Sequence, residues 1–184
     1  AVLTAIEAEW GPPDLAVLNA GNHIPVTAVD LDAEPFRRLM ETNVMGTVYG
    51  LTNLLPIMRR RGSGHIAVVS SLAGYRGLPT SAAYGASKAA LINMCEALRP
   101  ELDAMGIKLQ IITPGFVETP LTDQNDFEMP FLVTVDEATD QIMRGLASDR
   151  FEVSFPRSFS LIMKVLRILP DPLFFAMTRR MIKP

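Results

Sequence analysis

Tyr84 and Lys88 stand four residues apart in the run Tyr84-Gly85-Ala86-Ser87-Lys88. On a helix that spacing puts both side chains on one face, so an ammonium can approach a phenol. A free phenol, with a pKa of about 10, is a poor proton donor and a worse base at neutral pH. Two unit charges about 4 Å apart at an effective dielectric of about 20 interact by roughly 4 kcal/mol, enough for one lysine to favour the tyrosinate by up to about three pKa units. The pair is then a working general acid/base. Most Tyr-x-x-x-Lys pairs are simply solvated or packed, and what singles this one out is its company. Ser71 ends the apolar run Val68-Val69-Ser70, 13 residues before Tyr84, and Asn43 is a polar residue on an otherwise apolar helical stretch, where it needs a partner.

These residues need a frame. The chain has 184 residues, 48% of them hydrophobic and 20% charged, a globular composition that excludes disorder and fibres. Four short β-rich runs, at 15–18, 66–70, 108–113 and 151–155, alternate with helical stretches at 32–60, 82–105 and 136–147, the second interrupted by Pro100. This alternation predicts a doubly wound α/β fold, a parallel sheet between two helix layers. Ala16-Val17-Leu18 and Ile66-Ala67-Val68-Val69 do not alternate, as expected of strands buried on both faces. Asp32 is the expected N-cap of the long helix and Gly62 its end. The glycines and polar residues fall at the carboxyl ends of the strands, at 19–21, 70–74 and 114–119, where open parallel sheets bind ligands.

Asn19-Ala20-Gly21 after the first strand, Asn43, Ser71, Tyr84-x-x-x-Lys88 and Pro114-Gly115-x-Val117-x-Thr119 occur together in this order. Over roughly residues 10–155 the sequence resembles the short-chain dehydrogenase/reductase family. The resemblance implies an oxidoreductase with a Rossmann-like fold that uses NAD or NADP to interconvert a secondary alcohol and a ketone. Tyr84 would exchange a proton with the substrate oxygen. Lys88 would hold the nicotinamide ribose and depress the tyrosine pKa. Ser71 would hydrogen-bond the carbonyl, and Asn43 would hold a water connecting Lys88 to solvent. Asn19, Ala20 and Gly21 would line the adenosine side of the cofactor, while Pro114, Gly115, Val117 and Thr119 would grip its nicotinamide end. Self-association through the two long helices is implied as well. A non-catalytic binding or scaffold protein on the same fold is the alternative from another class, and an epimerase or dehydratase a third reading.

The family's opening strand and glycine-rich pyrophosphate turn have no counterpart here, because the first strand matches the family's fourth. The chain is therefore read as one partial three-layer α/β/α domain, truncated at its N-terminus, with the first strand expected at an exposed edge. Net charge is −3 and argues against nucleic acid, but residues 1–150 carry −7 and residues 151–184 carry +4. The segment 156–184 is apolar, basic and broken by Pro170 and Pro172. Three readings compete for it: a lid or subunit contact, an amphipathic element on an anionic membrane surface, and a membrane span, for which it is too short. A membrane contact would favour a hydrophobic, lipid-like substrate. Residues 121–132 suit a flap over the substrate.

One cysteine and no apolar leader suggest a cytoplasmic protein, membrane-associated if the tail binds lipid. Cys95 reads as a core thiol, His65 as structural, and His23 as a solvated loop residue ahead of a cofactor or substrate contact. Arg59-Arg60-Arg61 reads as a helix C-terminal cluster. No metal-site spacing is present.

Overall fold

A computed structural model of the chain describes residues 2–124 and 127–182. Four parallel strands, β1 (Leu15–Leu18), β2 (Gly64–Val69), β3 (Ile107–Pro114) and β4 (Glu152–Phe155), form one sheet in the order β1-β2-β3-β4. Helix α1 (Val2–Trp10) precedes it. Between β1 and β2 run α2 (Ala33–Leu39), a π-helical turn over Met40–Met45 and α3 (Gly46–Arg61), followed by α4 (Ala82–Ala104) and α5 (Val135–Leu146) in the later crossovers. Two tail helices follow β4: α6 (Arg157–Ile168) and α7 (Asp171–Thr178).

The helices start where the sequence provides caps. Asp32 accepts the Glu34 N–H at 3.2 Å, and Thr134 with Glu137 forms a reciprocal capping box on α5. Gly62 ends α3 at φ +71°. Two apolar clusters flank the sheet. On one face Ile66, Val68, Leu109 and Ile111 meet Met58, Leu91, Cys95 and Met163 from α3, α4 and α6. On the other, Ala67, Ile112, Val153 and Phe155 meet Ala138 and Leu146 of α5. This is the expected doubly wound, Rossmann-like three-layer arrangement.

Two expectations are corrected. Pro100 does not interrupt α4, which runs unbroken through it. The carbonyl it leaves without a helical partner belongs to Glu96 on the exposed side, where water can satisfy it. And β1 is not buried on both faces: Leu15 and Val17 are 42% and 45% exposed, because β1 is the sheet's edge and receives a strand on one side only. Cys95 is buried, its thiol pushed up to about 12 by burial, and His65 Nε2 lies 2.7 Å from Gln110 Oε1, so both are structural as expected. Arg60 and Arg61 pair with Glu7 and Asp14 at 3.1 and 2.9 Å.

The entry to β3 depends on one backbone contact. Gly106 has φ +74°, and a Cβ there would lie 2.4 Å from the Gly62 carbonyl oxygen. Gly106→Ala should therefore destabilise the fold by more than about 1 kcal/mol in urea denaturation; an unchanged midpoint would mean that the Gly62 turn yields freely.

Candidate active site

The segment after β2 is pinned to α4 along its length. Buried Ser70 donates from Oγ to the Lys88 carbonyl at 2.8 Å. Ser71 Oγ accepts the Ala73 N–H at 3.1 Å, capping a short 3₁₀ turn over Leu72–Gly74. At Gly74 the two backbones touch: an added Cβ would fall 2.8 Å from the Lys88 carbonyl carbon and 2.9 Å from the Ala89 nitrogen. This packing brings the Ser71 hydroxyl near enough to the Tyr84 phenol to lower its pKa.

Lys88 is 4% exposed, and its ammonium donates to the Val69 carbonyl at 3.0 Å while lying 5.7 Å from the centre of the Tyr84 ring. The two side chains thus share a face, as their spacing requires. Their electrostatics differ from the expectation that Lys88 depresses the tyrosine. Burial raises the Tyr84 pKa above that of an ordinary phenol, and the Ser71 hydroxyl offsets this only in part. Burial also pushes Lys88 down, to about 8. The ammonium is anchored on a carbonyl rather than on the phenolic oxygen, and desolvation dominates.

Asn43 sits in the π turn, fully buried. Its Oδ1 accepts the Asn22 N–H at 2.7 Å, and its Nδ2 donates to the Asn22 carbonyl and to Ser87 Oγ at 3.0 and 2.9 Å. One amide thereby ties the loop after β1 to α4, and the π turn is the local distortion that aims it. Gly21 lies under both polar tips: a Cβ there would come within 3.3 Å of Lys88 Nζ and 3.4 Å of Asn43 Oδ1. Asn19 and Ala20 precede it on the surface.

A family model described as short chain dehydrogenase matches residues 1–129. The chain belongs to that family. An uncharacterized oxidoreductase of Myxococcus xanthus is 42% identical over 179 residues, which are 97% of this chain and 71% of that protein. The 17-beta-hydroxysteroid dehydrogenase 13 of Rattus norvegicus is 29% identical over 95% of this chain and 59% of its own length. Among solved structures, a short chain dehydrogenase from Burkholderia cenocepacia J2315 in complex with NADP superimposes with a TM-score of 0.80 at 26% identity, over 100% of this chain and 74% of that one. This short-chain dehydrogenase thus spans between 59% and 74% of these three relatives.

Beyond β3, Ser71 Oγ reaches the Pro114 carbonyl at 3.5 Å, so the third polar segment joins the first two at one end of the sheet. Val117 bridges to Val133, while the Thr119 hydroxyl donates to the Val117 carbonyl at 3.3 Å within a turn that Thr122 also closes. Of the residues expected at the nicotinamide end, Pro114 and Gly115 therefore lie beside Ser71 and the tail, and Thr119 is engaged in its own turn. The flap expected over residues 121–132 includes Asn125 and Asp126, which lie outside the described residues. Its Phe127 meets Phe116 edge-on at 5.8 Å.

Three residues near the site were not assigned a role from sequence. His23, expected in solvent, stands edge-on to the Tyr84 ring with centroids 4.8 Å apart. Ser87 is buried and links Asn43 to α4, and only its place inside the Tyr-to-Lys run hints at it. Arg76 has no sequence signal. Its guanidinium donates to the carbonyls of Leu166 and Leu169 at 2.7 and 2.5 Å and pairs with Asp171 at 2.5 Å, over the Phe174 ring at 3.9 Å. It caps α6, holds α7 and fastens both to the loop that carries Ser71. Next to it Tyr75 bonds Glu152, which Lys164 of α6 also binds at 2.7 Å. Burial pushes Glu152 up, but the bonds from Lys164 and Tyr75 prevail and hold it below the ordinary carboxylate range.

The tail accordingly packs on the protein. Phe159 of α6 stacks on Phe116 at 5.5 Å and on Phe131 at 5.6 Å, and Phe159 Cδ1 would lie 2.8 Å from a Cβ at Gly115. Among the described residues no helix is long and apolar enough to cross a membrane, and no cluster of metal-binding side chains exists. Arg76→Ala would strand the carbonyls at the end of α6, destabilising the protein by about 2 kcal/mol and hastening tryptic cleavage at Arg179 and Arg180; unchanged cleavage would show that the apolar contacts hold the tail alone.

Proposed function

We propose that this short-chain dehydrogenase interconverts a secondary alcohol and a ketone, with Tyr84 as the group that exchanges a proton with the substrate oxygen. The observation that carries the reading is the buried ammonium of Lys88 5.7 Å from the Tyr84 ring centre, with Ser71 near enough to lower the phenol's pKa. With its pKa raised, Tyr84 is protonated at neutral pH and serves as the acid for carbonyl reduction. Ser71 donates to the same oxygen as negative charge develops there. Lys88, charged below about 8, stabilises the tyrosinate left behind.

The nicotinamide cofactor, NAD or NADP, supplies or takes the hydride when bound. The residues present fit it: with no side chain at Gly21, the loop after β1 passes close to the polar tips of Lys88 and Asn43, where a Cβ would come within 3.3 and 3.4 Å. Lys88 would hold its ribose, Asn19, Ala20 and Gly21 the adenosine side, and Pro114, Gly115, Val117 and Thr119 the nicotinamide end. Asn43 positions the loop after β1 and, next to Lys88, would serve proton relay. A hydrophobic substrate is favoured by Phe116, Phe127, Phe131 and Phe159, which meet where β3 ends. The relative named a 17-beta-hydroxysteroid dehydrogenase is in line with an apolar alcohol. Self-association through α3 and α4, a cytoplasmic location and membrane-surface contact through residues 156–184 complete the reading.

In the full-length protein Tyr84→Phe should lower carbonyl reduction by about 10²-fold or more while leaving NADPH affinity by calorimetry within about threefold; retained turnover would discard the acid/base role. The rate of reduction should fall as pH rises through about 8, because Lys88 then loses its proton and the tyrosinate its neighbouring cation. A pH–rate profile of kcat/KM that keeps climbing above that point would exclude this role for Lys88.

A further inference from the structure

The outward side of the tail helices is apolar. On α6, Ser160 and Met163 are buried, whereas Leu161, Val165 and Ile168 point away from the core at helical spacing, Ile168 being 81% exposed. On α7, Phe174 and Thr178 are buried, and Leu173 and Met177, again one turn apart, are exposed, as is Ile182 beyond. Exposed Arg157, Arg167, Arg179 and Arg180 surround this surface. The acidic residue of the tail, Asp171, is paired with Arg76.

This surface is fixed in place. The Arg76 bonds, the Lys164–Glu152 pair and the Phe159 stack hold the opposite side of the helices against the protein. A strand added at β1, the sheet's exposed edge, would not cover it either, since β1 lies at the far side of the sheet from β4, against which α6 packs.

We propose that the outer face of α6 and α7 docks on an anionic phospholipid bilayer, lying in the interface with its leucines, valine and isoleucines in the acyl boundary and its arginines among the phosphates. Charge decides between this occupant and a second copy of the chain. A twofold contact would set the arginine-rich patch against itself, while an anionic surface answers it in sign. Helices of 12 and 8 residues are too short to span, and an amphipathic pair with a basic rim is suited to lie flat. The inference deepens the proposed function and rests on it in one respect. Phe159, two residues before Leu161, stacks with Phe116 and Phe131, so docking brings this aromatic cluster next to lipid and an apolar substrate could enter from the bilayer.

The test uses the full-length protein with phosphatidylcholine vesicles containing about one-third phosphatidylglycerol. The protein should co-sediment with these vesicles and bind pure phosphatidylcholine about tenfold more weakly. The double variant Ile168→Asp/Leu173→Asp should lose about tenfold in binding, and Arg179→Ala/Arg180→Ala several-fold, both with an unchanged circular dichroism spectrum. Failure to co-sediment, equal binding to neutral vesicles, or a lipid-free dimer dissolved by Ile168→Asp/Leu173→Asp would each overturn the proposal, the last by assigning the face to a second copy. Tyr84→Phe should bind vesicles like the unaltered protein, so lost lipid binding with intact turnover refutes the docking alone, and lost turnover with intact lipid binding bears on the reaction alone.

Discussion

A lysine ammonium brought to 4% exposure and set on the Val69 carbonyl is an expensive arrangement, since burying a cation requires compensation that a single neutral oxygen does not fully provide. The depression of Lys88 to about 8 is the measure of that incomplete compensation. Geometry at this end of the sheet follows from keeping the ammonium there. Ser70 binds the Lys88 carbonyl, Gly74 lets the loop after β2 lie on the α4 backbone, and Gly21 lets the loop after β1 pass beneath the ammonium. A side chain at Gly74 would press on the Lys88 and Ala89 backbone and separate the loop that carries Ser71 from the helix that carries Tyr84 and Lys88.

The same burial explains why the tyrosine is raised. A phenolate forming in a dry pocket loses hydration before it gains anything from a cation, and that cation already faces a carbonyl. The pair is therefore set for donation at rest. In the proposed reaction, the negative charge left on Tyr84 after proton transfer is what would draw the ammonium's field into use, so the lysine would matter most after the proton has left.

Much of this was legible in sequence because it is local. The Tyr84–Lys88 face, the strand ends and the cap at Asp32 each follow from residues within a turn or two of one another. The β1 faces were misjudged because an apolar run records the environment of a complete sheet, whereas Leu15 and Val17 report the edge they occupy here. The unbroken α4 was misjudged because Pro100 is costly only where the carbonyl it leaves cannot reach water. His23 beside Tyr84, Ser87 beneath Asn43 and Arg76 on α6 had no such local sign. Their long-range partners are 44 to 95 residues away for the hydrogen-bonded pairs, and nothing in a linear pattern announces a contact of that range.

Arg76 also ties the tail to the end of the sheet that carries Ser71. Its loop leaves Ser71 five residues earlier, passes Tyr75, which is tied to Glu152 on β4, and closes on the end of α6. Meanwhile Phe159 at the start of α6 reaches Phe116 just beyond β3. The helix is thus fastened at one end to the loop that carries Ser71 and at the other to the segment after β3. One clasp is a fork of short hydrogen bonds from Arg76, the other the Phe159 ring stacked on Phe116 and packed close to Gly115. Anything that engages the outer face of α6 therefore bears on a helix whose inner side is bonded to the Ser71 loop and stacked on Phe116.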